Sequence, residues 1–161
     1  MRACPVILWY TVHMRLADID GHLIAWLRRM FMPCSRVALF VVFFWFGALK
    51  LFEASPASPL VSALLEQTLP LVTFDQFIVV LGLLEMAIGL TFLFPGFERA
   101  AIALLIPHMA ATALPLFLLP QITWAGWFAP TLEGQYILKN IIIIALAFGI
   151  AANLHPLKKQ R

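Results

Sequence analysis

Lys50, Glu53, Glu85, His108 and Lys139 stand inside or at the margins of stretches that are otherwise almost wholly apolar, with Glu133 just outside. The stretches are Val37–Phe52, Phe74–Phe94, Ala100–Leu119 and Ile137–Leu154. A charge at the centre of a bilayer costs on the order of 3 kcal/mol on insertion scales, so such residues pair with one another and often mark a working site. Glu85 and His108 are the groups suited to moving protons, and they are the candidate catalytic pair. Lys50, Glu53, Thr112, Glu133, Lys139 and Asn140 offer the charges and hydrogen bonds that would hold a polar ligand.

Depth and face bring these residues together. At a helical rise of about 1.5 Å per residue, Lys50 and Glu53 fall at the outer end of the first span, and Lys139 and Asn140 at the outer end of the fourth. Glu85 and His108 fall near the middle of theirs, with Thr112 one turn outward. The expected site therefore occupies the outer half of the membrane and its midplane, with none of these groups in the inner half. Gly47, Lys50 and Glu53 share one stripe, and Gly82, Glu85 and Gly89 another, the glycines allowing close helix approach. An outward-opening pocket lined by Lys50, Glu53, Glu85, His108 and Lys139 is the expectation.

Two readings of that polar set stand side by side. In one, it is a buried ion-pair network that fixes helix register, the charges of Lys50, Lys139, Glu53 and Glu85 summing to zero. In the other, it is a ligand or redox site. His108 is the only histidine at mid-membrane depth, so haem held by two histidines of one chain is excluded. Cys4 and Cys34 lie far apart with no C-x-x-C, so neither a thiol relay nor a bound metal or iron–sulfur cluster is expected.

The elements that must position these groups follow from composition. Of 161 residues, 63% are hydrophobic and 12% charged, so the bilayer must serve as solvent. A crossing helix needs about 20 apolar residues, and each stretch comes near that once its flanks are added. The fold class is all-α: a membrane four-helix bundle with an N-terminal amphipathic interfacial helix and a short outer-surface helix. The division expected is 1–34 as the amphipathic segment, 35–155 as the transmembrane domain and 156–161 as a basic tail.

The net charge of +3 is a topology signal. Arg2, Arg15, Arg28, Arg29 and Arg36 precede the first span, Arg99 lies in the second loop, and Lys158, Lys159 and Arg161 close the chain. This positive-inside alternation puts both termini in the cytoplasm, the expected location being a bacterial inner membrane, and membrane lipid, not nucleic acid, explains the basic excess. No signal peptide is expected, because Arg15, Asp18, Asp20 and His22 interrupt any early apolar core.

Between the spans, Leu16, Ile19, Leu23, Trp26, Leu27 and Met30 recur at helical spacing before Pro33 and Ser35, which are expected to break the helix. Ser58 is the expected N-cap, with Pro59 at N1, of an outer helix over Leu60–Leu69. Pro107 and Pro115 bend the third span. Trp124, Trp127 and Phe128 fit an aromatic belt at the outer surface.

Several motifs in order carry a family resemblance. Phe46-Gly-Ala-Leu-Lys-Leu-Phe-Glu-Ala54, Ser58-Pro-Leu-Val and Gly82-Leu-Leu-Glu-Met-Ala-Ile-Gly89 resemble the DoxX/DoxD-like family of small four-helix membrane proteins. Pro130-Thr-Leu-Glu-Gly-Gln-Tyr-Ile-Leu-Lys-Asn140 looks like the start of the fourth helix in its YkgB-like branch. The resemblance covers about Ser35–Leu154. It implies a bundle often linked to quinone-coupled redox, with Lys50, Glu53, Glu85, Glu133 and Lys139 at matching positions.

The leading functional expectation is a membrane subunit that binds a quinone-like or other amphiphilic ligand. Phe43, Phe44, Trp45 and Phe46 would supply an apolar slot, and His108, Lys50 and Glu85 polar contacts. With no evident electron carrier of its own, it would need a redox protein partner, and homo-oligomers are compatible. The alternatives are a non-catalytic scaffold or assembly factor, whose N-terminal extension recruits partners, and a small carrier or channel.

Overall fold

The computed structural model describes residues 5–154 and Pro156, with side chains from Asp18 onward. The expected tail 156–161 lies outside the described residues apart from Pro156. The chain divides into two units, Met1–Ser35 and Arg36–Arg161.

The first unit contains the N-terminal part of helix α1, which runs Pro5–Leu51. The break expected at Pro33 and Ser35 is absent, and the helix passes through both. A proline removes one donor, and a long helix with hydrogen bonds on either side tolerates that loss. Almost every described side chain before Ser35 is exposed, including Ile19, Leu23, Trp26 and Leu27.

The second unit begins with the rest of α1, from Arg36. It continues with α2 (Ser58–Thr68), α3 (Phe74–Leu93), α4 (Glu98–Ala113), α5 (Pro115–Leu118) and α6 (Pro120–Thr123). A two-stranded antiparallel hairpin follows, β1 (Trp124–Gly126) and β2 (Ala129–Pro130), then α7 (Leu132–Leu138) and α8 (Asn140–Ala152). The chain is mostly helical, as expected, with one small hairpin besides.

Four helical segments are long and apolar enough to cross a membrane: Asp18–Leu51, Phe74–Leu93, Glu98–Leu118 and Leu132–Ala152. Their outward faces carry Val41, Trp45, Val80, Leu83, Ile106, Ile142 and Phe148 exposed. That is the surface of a multi-pass membrane protein, in which lipid covers what a soluble fold would bury. Inside the unit, Leu39 and Phe43 of α1, Ile88 and Phe92 of α3, Leu105 of α4 and Ile150 of α8 are buried. α3 packs on α4, and α4 on α8.

Glycines bring α1 and α3 into backbone contact. A Cβ on Gly47 would lie 2.6 Å from the Gly82 carbonyl oxygen, and one on Gly82 would lie 2.8 Å from that of Gly47. About two turns further along α3, a Cβ on Gly89 would lie 2.9 Å from the Phe44 nitrogen. Any larger residue at Gly47 or Gly82 would force the two helices apart.

Helix α1 ends in a left-handed cap without glycine. Glu53 has φ 55°, Ala54 N–H donates to the Leu49 carbonyl at 2.9 Å, and Glu53 N–H donates to that of Lys50 at 3.4 Å. This is the Schellman pattern, usually built on glycine. Helix α2 starts at Ser58 itself with Pro59 in its first turn, so Ser58 is not the N-cap; Ala57 is, with no side-chain bond to the helix end.

The third membrane-length segment tightens where proline predicts. Pro115 has no N–H for the Ala111 carbonyl, and Leu114 N–H donates to that oxygen at 3.2 Å instead. The loop after α5 is closely tied. Thr123, wholly buried, donates to the carbonyls of Leu119 (3.0 Å) and Pro115 (3.3 Å). Thr131 donates to the Ile122 carbonyl at 2.7 Å and accepts from Gly134 N–H at 3.2 Å. Trp124 is tied inward through Nε1 to the Leu116 carbonyl at 3.0 Å, whereas Trp127 and Phe128 stand exposed at the hairpin turn.

Candidate functional site

Three of the sequence-predicted residues meet. Lys50 Nζ donates to Glu85 Oε2 at 2.6 Å, and His108 Nε2 lies 3.6 Å from Glu85 Oε1. The lysine comes from α1, the glutamate from α3 and the histidine from α4, so one carboxylate bridges three helices. Lys50, Glu85 and His108 are 6%, 7% and 5% exposed. The expected outward-opening pocket is thereby corrected, because the cluster is enclosed by protein.

Local packing explains the placement. Lys50 lies one turn beyond Gly47, and Glu85 one turn beyond Gly82, so the glycine contact sets the distance the two side chains must bridge. A Cβ on Gly82 would sit 3.2 Å from the Lys50 Cβ, which leaves the lysine stem no room to shift toward α3. The ammonium also lies 3.5 Å from the Phe46 carbonyl oxygen. Phe43, buried, meets the His108 ring edge-on at 5.7 Å and 72°. It is the only one of the four expected slot aromatics against the cluster among the described contacts. Phe44 tilts against Phe40, Phe46 stands edge-on to Tyr136, and Trp45 is exposed.

The arrangement is electrically economical. With Lys50 charged, Glu85 ionised and His108 neutral, the cluster has no net charge, and each ion removed from water faces its counter-ion at hydrogen-bond distance. Its second property is chemical. The two oxygens of one carboxylate face an ammonium and an imidazole, both of which exchange protons. His108 stands just beyond hydrogen-bond reach of Glu85, so a small motion of α4 would connect or disconnect it.

The remaining predicted residues lie elsewhere. Thr112 and Asn140 do meet, with Asn140 Nδ2 donating to Thr112 Oγ1 at 3.4 Å and Thr112 donating to the Met109 carbonyl at 3.1 Å. They form a second small polar contact one turn along α4 from His108. Glu53 is exposed at the end of α1, Glu133 is exposed in the first turn of α7, and Lys139 is exposed between α7 and α8. The charge balance expected of four residues is therefore carried by Lys50 and Glu85. Lys139 lies seven residues into the fourth membrane-length segment, which starts at Leu132.

One polar contact was not foreseen. Arg36 Nη2 and Glu98 Oε1 form an ion pair between α1 and the first turn of α4, and Glu98 Oε2 accepts from Gly96 N–H at 3.0 Å. Glu98 is buried, and so is Arg36 Nη1, which has no hydrogen-bond partner. The pair sits about four turns before Lys50 along α1. Both residues read from sequence as loop and flank charges. A signal was present in Glu98 itself, which stands three residues after Pro95 at the start of an apolar helix, where a carboxylate caps free N–H groups.

Among the described residues no cluster of three or more His, Cys, Asp or Glu side chains is arranged to hold a metal ion. Cys34 is a free, exposed thiol. A hollow of about 220 Å³ between α2 and α3 is lined by Ser62, Leu65, Glu66, Pro70, Val72 and Phe74, and none of the predicted site residues reaches it.

Fold and site together define a class: a multi-pass helical membrane protein with a buried ammonium–carboxylate–imidazole cluster joining three of its helices. No family model matches the chain, and neither a curated protein nor a solved structure does.

Proposed function

We propose that this chain is a DoxX/DoxD-like protein of the bacterial inner membrane, its four spanning segments forming one bundle with both termini in the cytoplasm. In this reading Lys50, Glu85 and His108 bind the polar end of a quinone-like or other amphiphilic ligand and handle its protons. The observation that carries the reading is the bridging carboxylate, with Lys50 at 2.6 Å on one oxygen and His108 at 3.6 Å from the other. Structural ion pairs need two members; a third, proton-exchanging member aimed at the same carboxylate suits chemistry.

The donor set fits such a ligand. A quinone presents two carbonyl oxygens and an apolar ring. Lys50 has three N–H groups, of which Glu85 and Phe46 engage two, and the second ring nitrogen of His108 remains. Phe43 supplies an aromatic edge at the cluster. A bound quinone would contribute two-electron, two-proton chemistry, and a separate redox protein would exchange the electrons. This chain's part is to orient the polar end, exclude water and hold the protons at Glu85 and His108.

Titrating the protein in lipid nanodiscs with a short-tailed benzoquinone tests this. Saturable binding is expected, with Glu85→Gln and His108→Gln each weakening it at least about tenfold, or 1.4 kcal/mol. Absence of saturable binding by any quinone or amphiphile tried would sink the reading.

A second reading is favoured by the enclosure of the cluster: a non-catalytic scaffold in which the three residues fix helix register. Under it, a Lys50→Met/Glu85→Met double variant would keep full cellular function, because apolar groups of similar volume replace a buried pair at little cost.

A further inference from the structure

The hollow of about 220 Å³ between α2 and α3 joins features that select one kind of group. Its polar members are Ser62 and Glu66, while Leu65, Pro70, Val72 and Phe74 make the rest apolar. The Ser62 hydroxyl donates to Glu66 Oε1 at 3.3 Å, and among the described residues Glu66 forms no ion pair. The hollow lies at the C-terminal end of α2, where a helix carries partial negative charge and carbonyls without intrahelical partners. Leu69 N–H donates to the Leu65 carbonyl at 2.7 Å. Pro70, next in line, has no N–H to give the Glu66 carbonyl. A carboxylate and a negative helix end thus meet at one apolar recess.

We infer that this recess is a site for a primary ammonium group carried on an apolar body. An ammonium brings positive charge and three N–H donors, and a cation gains from lying beside the Phe74 ring. A quaternary ammonium brings no donor and is held by cages of several rings, whereas Phe74 is the single ring lining this hollow. An anionic headgroup finds no counter-charge in the loops at this end of the spans, since neither residues 52–73 nor 119–131 contain Lys or Arg. Size and depth say what carries the ammonium. The hollow, about 220 Å³, is smaller than the roughly 300–1,000 Å³ of sites that engulf a whole small molecule, so it takes a head and leaves the body outside. Glu66, Pro70 and Val72 on its rim are exposed. Phe74 is the first residue of the second membrane-length segment, which places the opening at the depth of lipid headgroups. An aminophospholipid and a free long-chain amine share the required chemistry. The inference does not depend on the quinone reading.

Native mass spectrometry of the full chain in detergent, with phosphatidylethanolamine and phosphatidylcholine of equal chain length offered together, tests it. Phosphatidylethanolamine should be retained at least about tenfold over phosphatidylcholine, and Glu66→Gln should abolish the preference. Asp75→Asn removes an exposed carboxylate beside Phe74 that does not line the hollow, and should change retention by less than about twofold. Dodecylamine titrated into phosphatidylcholine nanodiscs holding the chain is the second arm. Saturable binding there that depends on Glu66, without a lipid preference in the first arm, assigns the site to a free amine; the lipid preference alone assigns it to the headgroup. Neither preference nor saturation overturns the inference, and so does binding that Glu66→Gln leaves unchanged. An Asp75→Asn loss equal to that of Glu66→Gln also overturns it, because general surface charge would then explain both.

Discussion

The two buried ion pairs of α1 differ in the chemistry they permit. Arg36, about four turns before Lys50 on α1, meets Glu98, whose carboxylate is also held by Gly96 N–H in the turn before α4. Arginine stays charged in proteins, and a backbone N–H gives up no proton, so this pair can only hold. Lys50 meets Glu85 near the C-terminal end of α1, and His108 faces the second carboxylate oxygen. Every member of that cluster can change protonation state. The lesson is that burial and opposite charge alone do not set what a buried pair can do; the identity of the partner on each carboxylate oxygen does.

Substitutions can break or sharpen this contrast. The largest effect is expected for Lys50→Met, which leaves Glu85 buried without its counter-ion and should cost about 3–5 kcal/mol. Reversible unfolding in detergent would measure it, and adding Glu85→Met should recover most of the loss. Equal losses in the single and double variants would contradict a close pair. Next comes Gly82→Val, whose added atoms meet the Gly47 carbonyl and the Lys50 stem; a loss of about 1–3 kcal/mol is expected. It should also weaken ligand binding, because Lys50 and Glu85 are set by the same contact. Arg36→Lys should cost about 1 kcal/mol through loss of the guanidinium fork, with ligand binding unchanged. If it weakened ligand binding as much as His108→Gln does, the functional distinction between the two pairs would collapse. The smallest change is a gain: Glu53→Gly should stabilise by about 0.5–1 kcal/mol, since glycine relieves a left-handed residue. A loss of binding in that variant would return Glu53 to the site.

The legible parts of the fold were those written in composition and in short-range spacing. Long apolar runs locate membrane segments because no other solvent accommodates them, and the stripes containing Gly47 with Lys50 and Gly82 with Glu85 place the lysine and glutamate on facing sides. Pro115 marked its own distortion through the missing donor. Arg36 with Glu98 was illegible because the partners are 62 residues apart and each has an ordinary reason to be charged where it stands. Glu53 was read as a ligand because its type suggests one, whereas its backbone makes it a helix terminus. The hairpin at Trp124–Pro130 arises from tethers made by Thr123 and Thr131 across the loop, and no periodicity announces such tethers. The fourth membrane-length segment starts at Leu132, five residues before the apolar run beginning at Ile137, because α7 carries Glu133 and Gln135 within a helix.

The glycine seam has a mechanical consequence. Where main chain touches main chain at Gly47 and Gly82, with the Met86 and Leu51 side chains pressed alongside, little is left between the helices to change rotamer and absorb displacement. This length of α1 and α3 must then travel as a single strut, carrying ammonium and carboxylate with it. Relative motion is left to α4, whose hydrogen-bond ladder is interrupted at Pro107, directly before the imidazole. Under the proposed reading, opening and closing a proton path would thus fall to the histidine-bearing helix, swinging against a stationary ion pair.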